Sequence, residues 1–161
     1  FESADSIAKF LSPFSDYQFF VYHADKPSQA LAEHINWFGF NRVGFKNHMS
    51  ECGGVIGNAG FELPSEAMTL GKKLLVKPLL GQFEQSSNVA ALELLAAAES
   101  MESLDACILN RWLKSASPKP IKYPQVGDAL VRWLKQGDWH QHQVLCNDLW
   151  SQVELPDNWR K

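Results

Sequence analysis

From Gly53 to Val76 the chain reads Gly-Gly-Val-Ile-Gly-Asn-Ala-Gly-Phe-Glu-Leu-Pro-Ser-Glu-Ala-Met-Thr-Leu-Gly-Lys-Lys-Leu-Leu-Val, and this run constrains the fold more than any other. Apolar residues from Gly53 to Asn58 predict a buried strand, and the glycine-punctuated turn after it predicts a change of direction. Pro64 fits the first turn of a helix, where its missing N–H costs nothing. Gly71 then marks a tight turn into a second strand, Lys73 to Lys77. Two strands joined through a helix pair in parallel, because that connection returns the chain to the same edge.

The flanking sequence repeats the alternation. Ser3 or Asp5 caps a short helix that ends before Pro13, and Tyr17–Tyr22 and Ile35–Phe40 read as strands. Residues 23–29 read as a loop and residues 30–34 as a helical turn. A helix over 45–51 precedes the Gly53 strand. Beyond Val76, the spacing predicts helices over 84–98, 104–114, 127–136 and 143–152, with a Pro-rich connection at 115–124. The expected fold class is α/β, a Rossmann-like three-layer α/β/α domain with a mostly parallel sheet. A Rossmann-like half needs one more strand before Phe1, and there is no initiator Met. The expectation is therefore one domain over residues 1–161 cut from a longer polypeptide.

Composition removes several function classes. A net charge of −3 without a basic run gives no electrostatic reason for nucleic acid binding. No apolar run approaches the ~20 residues of a membrane span, so a cytoplasmic location is expected, in solution or peripheral at the inner face of a membrane. Cys52, Cys107 and Cys146 are too far apart in sequence to suggest a metal knuckle and read as reduced thiols. Six Trp is rich for this length, and Trp112, Trp133, Trp139, Trp150 and Trp159 fall in the last third, available for packing or an interface.

The Gly53–Val76 unit places a helix N-terminus and a carboxylate beside one crevice. The free N–H groups of Ser65 and Glu66 are expected to face an anion there, with Gly60 allowing positive φ or close backbone approach. Glu66 suits a vicinal diol such as ribose. A plain helix start, with Glu66 complementing the macrodipole, accounts for the same residues. His23, His34, His48, His140 and His142 are candidates for a base; His23, at a strand end on the ligand-facing edge, is the best placed of them, though a simple loop histidine is the reading preferred for it. His140-Gln141-His142 has no acidic or Cys neighbour and reads as a solvated loop; no metal site is expected. Lys72 and Lys73 are expected at the far end of the sheet, solvated, and Lys77 at the ligand-facing end.

The segment Asn58 to Glu66 resembles the donor-binding signature of GT-B-fold glycosyltransferases. The likeness extends to the peptidoglycan N-acetylglucosaminyltransferase, to nucleotide-sugar-dependent glucosyl- and glucuronosyltransferases, and to microbial glycosyltransferase-related proteins. Pro78-Leu79-x-Gly81 with Glu84, Gln85 and Asn88 is similar to a second signature segment of that group. The resemblance implies the C-terminal, donor-binding half of a GT-B fold, in which Glu66 grips ribose, Glu84 and Gln85 bind the transferred sugar, and Asn58 with Gly60 and Ser65 cradles the diphosphate; Asn88 belongs to the same segment. It also implies an acceptor that the sequence does not name, an acceptor-binding N-terminal domain in the same protein, and no required cofactor beyond the nucleotide-sugar donor. The catalytic base stays unassigned, and these residues alone are expected to turn over nothing.

One departure stands out. Glu62-Leu63 replaces the hydroxyl donors usual near the phosphates, and a desolvated carboxylate facing a diphosphate is repelled. Glu62 turns outward, or sits by a cation, or the donor is not an ordinary nucleotide sugar. A sugar-nucleotide 2-epimerase and a non-catalytic binding module remain alternatives to a transferase.

Overall fold

The computed structural model describes residues 2–137 and 139–156. The elements in chain order are α1 (Ala4–Leu11), β1 (Phe19–Tyr22), β2 (Ile35–Phe38), α2 (Arg42–Glu51), β3 (Gly54–Gly57), α3 (Glu62–Thr69), β4 (Lys73–Val76), α4 (Phe83–Leu94), β5 (Glu99–Ser100), α5 (Ala106–Lys114), α6 (Val126–Gln136) and α7 (His142–Ser151), with a 3-10 turn at Trp139–Gln141. All strand pairs are parallel, but they form two sheets: β1 with β2, and β3–β4–β5.

Period-2 alternation sorts the side chains into two helix layers. Phe19, Ile35, Leu75, Leu109 and Trp112 form one core, which Val21, Ile56 and the α1 residues Ile7 and Phe10 join. Val55, Leu74 and Val76 point the other way, onto Met49 of α2, Ala67 of α3 and Leu92 of α4. On that same side Phe20, Tyr22 and Phe38 pack against His48 of α2, with Phe20 stacked on the imidazole at 4.2 Å. The two sheets thus share one sandwich of helices, with α1 and α5 on one face and α2, α3 and α4 on the other. The architecture is Rossmann-like α/β.

Several boundaries differ from the sequence expectation. Residues 30–34 form no helical turn beyond the bend at 33–34 that feeds β2. Helix α4 stops at Leu94 instead of continuing through the alanines. Ala96 adopts φ 50° there, and the Ala97 and Ala96 N–H groups bond back to Leu92 and Glu93 carbonyls at 2.8 and 2.9 Å. That is a Schellman stop, made by an alanine where glycine is usual. It frees Glu99–Ser100 to pair with β4, a strand that its polar residues had hidden. The same motif with glycine closes α3: Gly71 has φ 65°, and Lys72 N–H reaches the Ala67 carbonyl at 2.9 Å.

Lys73 is not simply solvated. Its ammonium donates to the Trp112, Leu113 and Ser115 carbonyls at 3.1, 2.7 and 3.0 Å, closing the C-terminus of α5. Burial lowers its pKa, against the pull of Glu99 in the other direction. Helices α6 and α7 pack on one another and contain no buried residue. An antiparallel bridge, Lys122 to Glu154, ties the end of the hairpin back to the connection before it. Of the Trp-rich tail, Trp159 lies outside the described residues. No helix among the described residues is long and apolar enough to cross a membrane.

Candidate functional site

The loops after parallel strands gather at the carboxyl edge of the sheet, where α/β folds hold their ligands. After β3, the turn Asn58–Phe61 leads into α3. After β4, residues 77–82 lead into α4. One hydrogen bond joins the two loops: Asn88 of α4 donates its side-chain amide to the Ala59 carbonyl at 2.9 Å. Ala59 is fully buried beneath it. Leu63 occupies the space that a Cβ on Gly57 would need, so α3 packs directly onto the end of β3.

Helix α3 begins at Glu62, two residues before the expected start at Pro64. This corrects which amides are free. The Ser65 N–H already reaches the Phe61 carbonyl at 3.4 Å, and the Ser65 hydroxyl donates to that same oxygen at 2.8 Å. One further residue along, Glu66 N–H also lies inside the helical ladder. The N–H groups without a helical acceptor belong to Phe61, Glu62 and Leu63, because Pro64 carries none. Of the two expectations for Gly60, positive φ is not met, whereas Gly81 in the next loop has φ 79°. A Cβ added at Gly60 would meet nothing within 4 Å, so the space beside it is open.

Side-chain capping separates the helices that pack on the sheets into two groups. Ser3 caps α1 through Ser6 N–H, Asn41 caps α2 through Gly44 N–H, and Asp105 caps α5 through Cys107 and Ile108 N–H. Neither α3 nor α4 has a side-chain cap. These two follow neighbouring strands, so two helix starts without side-chain caps, each at the positive end of a helix dipole, open at one edge, though the Gln82 N–H at the foot of α4 already donates to the Leu79 carbonyl at 3.2 Å.

The charged candidates stand around this opening. Glu66 is half-exposed, with one oxygen 3.7 Å from the Lys46 ammonium of α2. Glu62 is exposed at the first position of α3 and Glu84 is exposed in the first turn of α4, neither side chain with a hydrogen bond or ion pair to another described residue. Gln85, by contrast, is buried. Its carbonyl oxygen accepts the Leu79 N–H at 2.9 Å and its amide donates to Gln82 Oε1 at 2.7 Å. Gln85 and Asn88 therefore hold the two loops in shape. Gln82, at the foot of α4, has no sequence signal beyond lying between Gly81 and the helix.

His23 and Lys77 also reach this edge. His23 Nδ1 lies 3.0 Å from the Asp25 N–H nitrogen and 3.1 Å from the Asp25 carbonyl, and Nε2 lies 3.3 Å from the Glu2 carbonyl, so both ring nitrogens have partners and the tautomer decides which one donates. The Lys77 ammonium pairs with the Glu2 carboxylate at 2.9 Å. Among the described residues no cluster of three or more metal-ligating side chains occurs.

A family model described as glycosyl transferase family 1 matches residues 2–116. The chain belongs to this family. The match runs from the start of α1 through the end of α5 and covers the whole carboxyl edge of this glycosyltransferase domain, leaving α6 and α7 outside it. No curated protein and no solved structure matches the chain.

Proposed function

We propose that this domain is the nucleotide-sugar-binding half of a glycosyltransferase that moves a sugar from an activated donor to a hydroxyl-bearing acceptor. The observation that carries the reading is the pair of helix starts at one edge, α3 and α4, that lack side-chain caps while the other helices packed on the sheets, α1, α2 and α5, have them. A diphosphate supplies the negative charge that the Phe61, Glu62 and Leu63 amides lack. The same amides and dipole stabilise the nucleotide diphosphate as it leaves, so neither a metal nor a cofactor is required. The open side of Gly60 leaves room for the phosphates, and Asn58 borders them.

Glu66 offers a carboxylate oxygen to the ribose diol, and Glu84 offers both of its own to the hydroxyls of the transferred sugar. Ser65, Gln85 and Asn88 act behind these groups by fixing the loops. Exposed Glu62 leaves the phosphate-facing amides to bind through the backbone alone. The acceptor site and the catalytic base belong to an N-terminal domain across the cleft, and the enzyme works in the cytoplasm.

Thermal unfolding with uridine, guanosine and adenosine diphosphates and their sugar esters tests this. A ligand bound only by the folded chain adds about 2.7 kcal/mol of stability at a hundredfold excess over Kd. Glu66→Ala should remove the part of the shift that distinguishes ribose from deoxyribose nucleotides. No shift with any nucleotide overturns the proposal.

A further inference from the structure

Charge is segregated along this chain. Residues 111–137 hold six basic side chains, Arg111, Lys114, Lys119, Lys122, Arg132 and Lys135, against one acidic side chain, Asp128. That segment is net +5 in a chain of net −3, which leaves the remainder at net −8. Spacings of three residues or more keep the basic positions from reading as a run. Two of them are paired, Arg111 with Glu99 at 2.9 Å and Lys122 with Glu154 at 2.7 Å. Lys114, Arg132 and Lys135 are exposed and have no carboxylate partner among the described residues.

The second half of this basic segment is apolar along one side. At 3.6 residues per turn, Val126, Leu130 and Leu134 of α6 fall on one stripe, which Val131 widens. All four are exposed, Leu134 by 56 %. The half-buried positions Ala129 and Trp133 lie to one flank, so the packing that α6 does make leaves the stripe bare. Arg132 and Lys135 occupy the far side with Asp128. Aromatic rings stand at both ends of the helix. Tyr123 precedes it, exposed, and the exposed indole of Trp139 donates to the Leu134 carbonyl at 3.4 Å.

Charge decides what covers such a stripe. Pairing it with the same stripe of a second copy sets two basic segments side by side, and like charges across an interface are unfavourable. A helix that is apolar on one side, basic on the other and aromatic at its ends instead suits the boundary layer of an anionic bilayer. There the apolar stripe enters the acyl region while Lys and Arg extend their stems along it and keep their charge among the headgroups.

We propose that α6 and the basic connection before it form a docking surface for an anionic lipid bilayer. Val126, Leu130 and Leu134 enter the acyl boundary, and Lys114, Arg132 and Lys135 meet the headgroups. The net −8 remainder is repelled by the same surface, so the segregation of charge also turns the sheet body away from the lipid. This surface lies almost wholly beyond the family match, which ends at residue 116, and it holds whatever ligand the carboxyl edge takes.

Flotation of the full chain with vesicles tests it, with phosphatidylcholine alone compared with phosphatidylcholine containing about one third phosphatidylglycerol. The chain should partition onto the anionic vesicles at least about tenfold more strongly than onto the neutral ones, a difference that high salt removes. Leu130→Gln with Leu134→Gln, and separately Arg132→Gln with Lys135→Gln, should each weaken binding to the anionic vesicles by about tenfold or more. Both pairs sit at exposed positions, so the fold is retained, and unfolding curves check it. Leu94→Gln, at an exposed apolar residue ending α4, should leave binding unchanged. Equal binding to neutral and anionic vesicles overturns the proposal, as does binding to neither, or binding that neither pair of substitutions weakens. A dimer that forms on concentration and is dissolved by the Leu130 and Leu134 substitutions would assign the stripe to a second copy and overturn it too.

Discussion

The sheet body and the C-terminal hairpin are both built from amphipathic helices, yet only one of them buries its apolar residues. In α5, Leu109 and Trp112 are sealed into the core beneath β4. Leu130, Val131 and Leu134 of α6, with Val144 and Trp150 of α7, stay exposed. The difference teaches that an apolar stripe on a helix states what the helix can cover, while a strand face to cover decides what is buried. The family match follows the same division, ending at residue 116 before α6 begins.

The contrast can be broken by substitution. Leu75→Ala should cost the most, about 2–5 kcal/mol by denaturant unfolding, because its side chain is fully buried between the α1 and α5 contacts. Ala96→Gly should stabilise by about 1 kcal/mol, since φ 50° is the left-handed region in which a Cβ is strained. Leu134→Ala in α6 should change stability by no more than about 0.5 kcal/mol, as expected of an exposed position. A loss near that of Leu75→Ala would show that the hairpin is covered in solution.

The smallest effect is confined to alkaline pH. Burial raises the Tyr22 phenol above its ordinary 10.0. The folded state then holds this proton more tightly than the unfolded state does. Stability from this source is complete below pH 10.0 and declines as the pH climbs from there through the folded value. Tyr22→Phe should abolish that decline, measured by unfolding at a series of alkaline pH values.

Much of the body was legible because strand and turn residues agreed locally. Val55–Ile56, between Gly54 and Gly57, and Leu74–Val76, between the Gly71 turn and Pro78, are β-branched or aliphatic runs, and they became β3 and β4 as read. The helix after them was misplaced by two residues: Pro64 suggested a first position, but proline is tolerated throughout the first turn, and it is Leu63, one residue earlier, that packs on Gly57 at the end of β3. Glu99–Ser100 gave no strand signal, because what pairs it with β4 is the Met101 N–H reaching the Val76 carbonyl at 3.0 Å, a tertiary contact. Within the site, the sequence singled out Glu66 for a diol, and the resemblance implied Glu84 and Gln85 as a pair of sugar ligands; Glu66 and Glu84 are exposed. Nothing local distinguished Gln85 from Glu84, yet one is buried under the loop and the other faces water. Burial of a polar side chain is decided by which peptide groups it must satisfy, and only the fold reveals those.

Asn88 carries a further consequence. Through one amide it anchors α4 to the turn that starts α3, so the two helix starts are a single mechanical unit. Moving the body of α4 away from the sheet would break this bond and leave the Ala59 carbonyl, at a fully buried residue, without its side-chain donor.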